Sequence, residues 1–175
     1  MKLAALVCIS LLSVAAPARA QDNALAQAGK SSLALIKGNV VKAAEQMSEE
    51  NYAFKPTADV RSFGQLIGHI ANANYMICSM ASGAANPSKV DIEKTVTSKA
   101  DLSKAVAESF AFCEAQFDAM TPATSVESIK MFGSMTMPRL SALYFNTAHD
   151  FEHYGNIVTY MRLKGMVPPS SQRGM

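Results

Sequence analysis

The sequence has no tryptophan, three cysteines and little charge of either sign, and the shortage of clustered charge bears on function first. Nucleic-acid binding draws on clustered Lys and Arg to neutralise phosphates. Only Arg162, Lys164 and Arg173 come near to forming such a cluster, so no nucleic-acid partner is expected. Past the first twenty residues no stretch is continuously apolar over the roughly 20 residues that a transmembrane helix requires. The glycines are too scattered for a phosphate-cradling loop, and no Ser-His-Asp or Cys-His arrangement stands out.

The first twenty residues read as a secretory signal. Lys2 gives a positive start, Leu3 to Val14 an apolar run, and Ala18-Arg19-Ala20 a small-x-small cleavage site. Cleavage after Ala20 leaves 155 of the 175 residues, a single domain from 21 to 175, periplasmic or secreted. Lys2 and Arg19 carry the whole formal charge of +2, so 14 basic residues face 14 acidic ones in the mature chain. Cys8 lies within the apolar run and not just after a cleavage point, which argues against a lipid anchor. Cys78 and Cys113 remain. A disulfide and a pair of buried apolar thiols are both compatible with their spacing.

Apolar residues recur at helical intervals nearly throughout, which predicts an all-α fold with four long helices. The first runs from about Asn23 to Met47, with Leu25, Leu33, Ile36, Val40, Val41, Ala44 and Met47 in its stripe. A polar stretch containing Pro56 follows. Ser62 then offers an N-cap, with Gln65 at the capping-box spacing, to a second helix reaching Ser82. Residues 83–98 form a long connection. Asp101 is expected to cap a third helix that ends before Pro122. An irregular stretch crosses Gly133 to Pro138, a residue suited to a first helical turn, and the fourth helix runs to Lys164 before Gly165 stops it.

The three histidines of the chain carry the chemistry. His149 and His153 stand four apart on the fourth helix, which places both imidazoles on one face, a turn apart. His69, on the second helix among Leu66, Ile70, Ala73 and Met76, is the one other imidazole available. Catalytic metal sites use three protein ligands and an open position, and helix bundles build such sites from inward-projecting side chains. The apolar neighbours at helical spacings, such as Leu66 and Ile70 about His69 and Ala148, Ile157 and Tyr160 about His153, read as a neutral setting, in which an uncharged imidazole ligates at neutral pH. The alternative is one buried, hydrogen-bonded histidine and a partly exposed pair. Asn72, Asn146, Asn156 and Tyr160 are the candidates to orient a ligand ring. The run His149-Asp150-Phe151-Glu152-His153 also fits the His-x-x-Glu-His pattern of some metallopeptidases. Only 22 residues follow His153, too few for the further acidic ligand such enzymes take downstream, and Glu152 reads as a solvated surface carboxylate. The eleven methionines read as fillers of core and loop gaps.

Two segments resemble the DinB/YfiT-like superfamily: Arg61-Ser62-Phe63-Gly64-Gln65-Leu66-Ile67-Gly68-His69-Ile70-Ala71, and the stretch from His149 to Gly165. One histidine on the second helix and a His-x-x-x-His on the fourth match that family's metal triad, here His69, His149 and His153. The resemblance implies a four-helix bundle with a long crossover, so that the second and third helices run parallel with Cys78 and Cys113 at similar heights. It also implies one divalent ion, zinc, nickel or iron, with positions open to water or substrate. Relatives include thiol-dependent isomerases and transferases, whereas an export signal separates this chain from cytoplasmic thiols. Two functions follow as expectations: a metal-dependent thiol-transferase or hydrolase acting on a small molecule, or a non-catalytic metal-binding bundle. A homodimer is compatible with either.

Overall fold

The computed structural model describes residues 23–172; the expected export signal lies outside them. Four long helices, α1 (Ala24–Gln46), α2 (Phe63–Ser82), α4 (Lys99–Asp118) and α6 (Arg139–Leu163), form the bundle. Two short helical turns, α3 (Ile92–Thr95) and α5 (Pro122–Ser125), lie in the connections. A hairpin of β1 (Ser128–Met131) and β2 (Met135–Pro138) precedes the last helix.

The ends of the helices follow local chemistry. The Asn23 side chain accepts from the Ala26 N–H and caps α1. Ser62 and Gln65 close the capping box expected at the start of α2. The N-cap of α4 lies three residues before the anticipated one: it is Ser98, its hydroxyl accepting from Asp101 N–H at 3.1 Å and donating to the Asp101 carboxylate at 2.7 Å. Pro138 precedes the first turn of α6 instead of occupying it. At the far end Gly165 is left-handed, and Met166 N–H reaches Met161 O at 2.9 Å while Gly165 N–H reaches Arg162 O at 2.9 Å, a Schellman closure.

Cross-helix contacts fix the directions. Lys30 pairs with Asp118 at 2.6 Å and Lys37 with Glu114 at 2.7 Å, so α1 and α4 run antiparallel. Asn74 bonds Ser109 at 3.1 Å and Cys78 is joined to Cys113, so α2 and α4 run parallel and the 83–98 connection is a true crossover. α6 runs antiparallel to α2, with the Tyr160 hydroxyl donating to Arg61 O at one end and Asn146 meeting Asn74 farther along. Leu33, Ile36, Val40, Phe63, Ile67, Ile77, Phe110, Phe117, Leu143 and Ile157 fill the centre. Two residues assigned to inward stripes by spacing face outward: Leu25 is 67% exposed and Met76 40%.

The stretch before Pro138, anticipated as irregular, contains the hairpin, with Ser128 opposite Pro138 and Met131 opposite Met135. Its turn places Phe132 and Gly133 at positive φ, which glycine accepts without strain and phenylalanine does not.

The Cys78–Cys113 disulfide joins two fully buried positions 35 residues apart and ties the crossover's two helices together. Closing a loop of that size removes denatured-state freedom worth about 2–4 kcal/mol. Replacing both cysteines by alanine is expected to lower the unfolding free energy by about that amount, as measured by urea denaturation. An unchanged midpoint would show that the link contributes nothing.

Candidate metal centre

The two histidines of α6 and the one of α2 meet across the antiparallel α2/α6 interface. His153 Nε2 lies 2.9 Å from His149 Nε2, and His149 Nε2 lies 3.3 Å from His69 Nε2. The ligand atoms of all three fall within 4.8 Å of one another, and no other His, Cys, Asp or Glu joins the cluster among the described residues. His153 is 8% exposed, while His69 and His149 are half-buried.

These distances suit a shared cation. Nitrogens about 2.0–2.1 Å from one zinc-sized ion stand about 2.9 Å apart in octahedral and about 3.4 Å apart in tetrahedral coordination. Protons satisfy the cluster less well. Both short contacts use His149 Nε2, and a neutral ring carries at most one hydrogen there, which cannot be given fully to both neighbours. The donor set therefore fits a divalent ion better than it fits itself.

Electrostatics keep the α6 rings uncharged. Burial, reinforced by the nearby His153 and His69 rings, lowers the His149 pKa to about 4. Burial, then His69 and Arg61, brings His153 to about 4 as well. At neutral pH both present lone pairs instead of positive charge.

The outer nitrogens are supported unequally. His69 Nδ1 lies 3.0 Å from Glu93 Oε2, and Arg61 Nε donates to the other oxygen, Glu93 Oε1, at 2.8 Å. Burial pushes the Glu93 pKa up, but hydrogen bonds from Arg61 and His69 outweigh it and hold the carboxyl below its usual range. His153 Nδ1 has the Asn156 amide at 3.4 Å, and the buried His149 Nδ1 has no partner among the described residues. The setting thus holds more ionisable groups than Asp150 and Glu152 of the local sequence: Glu93 and Arg61 arrive from elsewhere in the chain.

Of the four residues anticipated as ring-orienting, Asn156 alone approaches a histidine. Asn72 binds α3, donating to Asp91 Oδ1 at 2.7 Å and accepting from Ile92 N–H at 3.0 Å. Asn146 donates to Asp150 Oδ2 at 3.2 Å in the core, and the Tyr160 hydroxyl donates to Arg61 O at 2.6 Å. Asp150 is fully buried, and burial raises its pKa well above the carboxylate range. Its carboxyl turns toward Asn146 and Asn74 in the core. Glu152 is exposed and belongs to no cluster with the triad, which removes the peptidase reading.

Sequence reading missed Glu93. It lies 24 residues from His69 in the crossover, outside any motif spacing. One signal was available: Gly68, a mid-helix glycine beside the histidine, marks a close backbone approach. A Cβ there would stand 2.8 Å from Glu93 Cα.

A cavity of about 590 Å³ opens on the His153 flank, lined by Lys55, Asp59, Arg61, Gln65, Asn156 and Tyr160 among others.

The sequence profile of the DinB superfamily matches residues 33–157. No curated protein matches the chain. Several solved structures share its fold. A DinB-like protein from Bacillus subtilis is 22% identical, with a TM-score of 0.66 over 84% of this chain and 99% of its own. A DinB-like protein from Bacillus cereus is 17% identical, with a TM-score of 0.72 over 82% and 95%. A conserved protein from Enterococcus faecalis is 17% identical, with a TM-score of 0.66 over 78% and 95%. With 125 of its 175 residues under the profile and the expected crossover bundle in place, the chain belongs to the DinB superfamily.

Proposed function

We propose that this chain is an exported metalloenzyme that holds one divalent ion, zinc, nickel or iron, on His69, His149 and His153. The observation that carries the reading is the convergence of three Nε2 atoms, at 2.9 and 3.3 Å, beside a cavity large enough for a small molecule. A divalent ion bound there supplies Lewis acidity toward an oxygen or sulfur ligand, the chemistry of hydrolysis and of thiol transfer alike.

The chain's own residues do the rest. The neutral α6 rings hold the ion without competing charge. Gln65, Asn156 and Lys55 offer polar contacts along the cavity wall, and Arg61 and Glu93 line it next to His153. Tyr160 contributes its ring, because its hydroxyl is committed to the Arg61 carbonyl. Three protein ligands with no fourth among the described residues favour an open coordination position over a closed structural site. The export half of the proposal rests on the Lys2, apolar-run and Ala18-Arg19-Ala20 pattern.

Elemental analysis tests the site. The purified protein is expected to carry about one divalent ion per chain and His153→Ala to lose it; equal metal in the two proteins would sink the reading. Turnover in a screen of hydrolytic and thiol-transfer substrates is expected to vanish on chelation and return with metal. Activity that survives full chelation would refute metal-dependent catalysis.

Acid supplies a further test. In the unfolded chain His149 and His153 bind protons below about 6.5, but in the folded protein only near about 4. Between those values the unfolded state binds more protons, so stability is full above about 6.5 and declines as pH falls toward about 4. The melting temperature of metal-free protein is expected to drop through this window. A double variant with His149 and His153 replaced by glutamine is expected to lose much of that slope; an identical slope would place the acid sensitivity elsewhere.

A further inference from the structure

The crossover is held against α2 with more precision than a connection needs. Gly68 lets the α3 backbone come so close that a Cβ would stand 2.8 Å from Glu93 Cα and 3.0 Å from Glu93 N. Four residues on, the Asn72 amide binds both the Asp91 carboxylate and the Ile92 N–H, and Ile92 is buried beneath. These contacts deliver Glu93 to the outer nitrogen of His69 at 3.0 Å, and Arg61 occupies the second carboxylate oxygen at 2.8 Å. Arg61 is itself held through its carbonyl by the Tyr160 hydroxyl at 2.6 Å.

We propose that Glu93 is a positioning residue for the centre, fixing His69 as the Nδ1–H tautomer so that its Nε2 lone pair faces His149 and His153. A carboxylate only accepts hydrogen bonds, so the proton between Glu93 and a neutral His69 sits on Nδ1, and the inner nitrogen is left bare. The tautomer of a histidine is set by the bond its other nitrogen makes, and carboxylate partners of this kind raise the donor strength of metal-binding imidazoles. The three rings are not equivalent in this respect. His153 has an amide at 3.4 Å and His149 Nδ1 has no partner among the described residues, so His69 is the ring whose direction and tautomer are imposed. The purpose assigned to Glu93 rests on the metal reading above, whereas the tautomer it imposes does not.

The test uses metal-free protein and zinc alone as the probe. Nitrogen-15 NMR of the imidazoles is expected to show His69 as the Nδ1–H form in the wild type and a shift toward Nε2–H in Glu93→Ala. Glu93→Gln, whose amide oxygen still accepts, is expected to restore much of the Nδ1–H form and to carry the test if the alanine variant folds poorly. Gly68→Ala alters no polar group but pushes α3 away, and is expected to produce the same shift as Glu93→Ala. Zinc affinity by competition titration is expected to fall about 10–100-fold in Glu93→Ala. An unchanged His69 tautomer, or affinity within about twofold of the wild type, would overturn the proposal. A wild type that binds no zinc but shows the tautomer shift would refute the metal reading and leave Glu93 as the group that sets His69.

Discussion

Three imidazole nitrogens can serve one ion only if each turns a free lone pair toward it, and much of the surrounding structure serves that condition. The α2/α6 interface meets it by burial, which lowers the pKa values of His149 and His153 to about 4. The charge that remains nearby is kept to the outer side. Glu93 reaches the far nitrogen of His69 and shares its charge with Arg61. Asp150, adjacent to His149 in sequence, turns into the core, where burial favours its uncharged form. A carboxylate on the inner side would have changed both the charge and the ligand count of the site.

Two polar layers cross the bundle, and they differ in openness. The histidine layer meets the cavity at His153. The other, made by Ser109, Asn74, Asn146 and Asp150, is sealed, and its members satisfy one another. A sealed, self-satisfied layer suits a role in specifying how α2, α4 and α6 align. The disulfide lies beside it on α2 and α4. Chemistry belongs to the open layer.

The sequence made the four long helices legible because each spans several turns of apolar periodicity with a recognisable cap, as at Ser62 and Gly165. The hairpin was not legible: four-residue strands give too few alternations to stand out from noise. The start of α4 is ambiguous in sequence because Ser98 and Asp101 are both good caps three residues apart, and the structure uses them together. Within the site, the i, i+4 pair was readable from spacing, and His69 from being the remaining imidazole. Glu93 was not, since its role depends on where the crossover lies and no local pattern encodes that. Asn72 and Asn146 turn to Asp91 and Asp150 instead of a histidine ring for a related reason: helical spacing gives a residue's approximate face but does not identify its partner.

The separation of His69 from His149 by 80 residues ties the centre to the order in which the chain assembles. Contacts between distant segments form late, because the entropy of closing the intervening loop opposes them. α1, α2 and α4 can meet before α6 exists, and the disulfide can close among them. The triad cannot: two of its three members arrive with the final helix. A chain cut short before α6 would keep a single histidine, and the complete three-histidine centre exists only once the last helix has docked against α2.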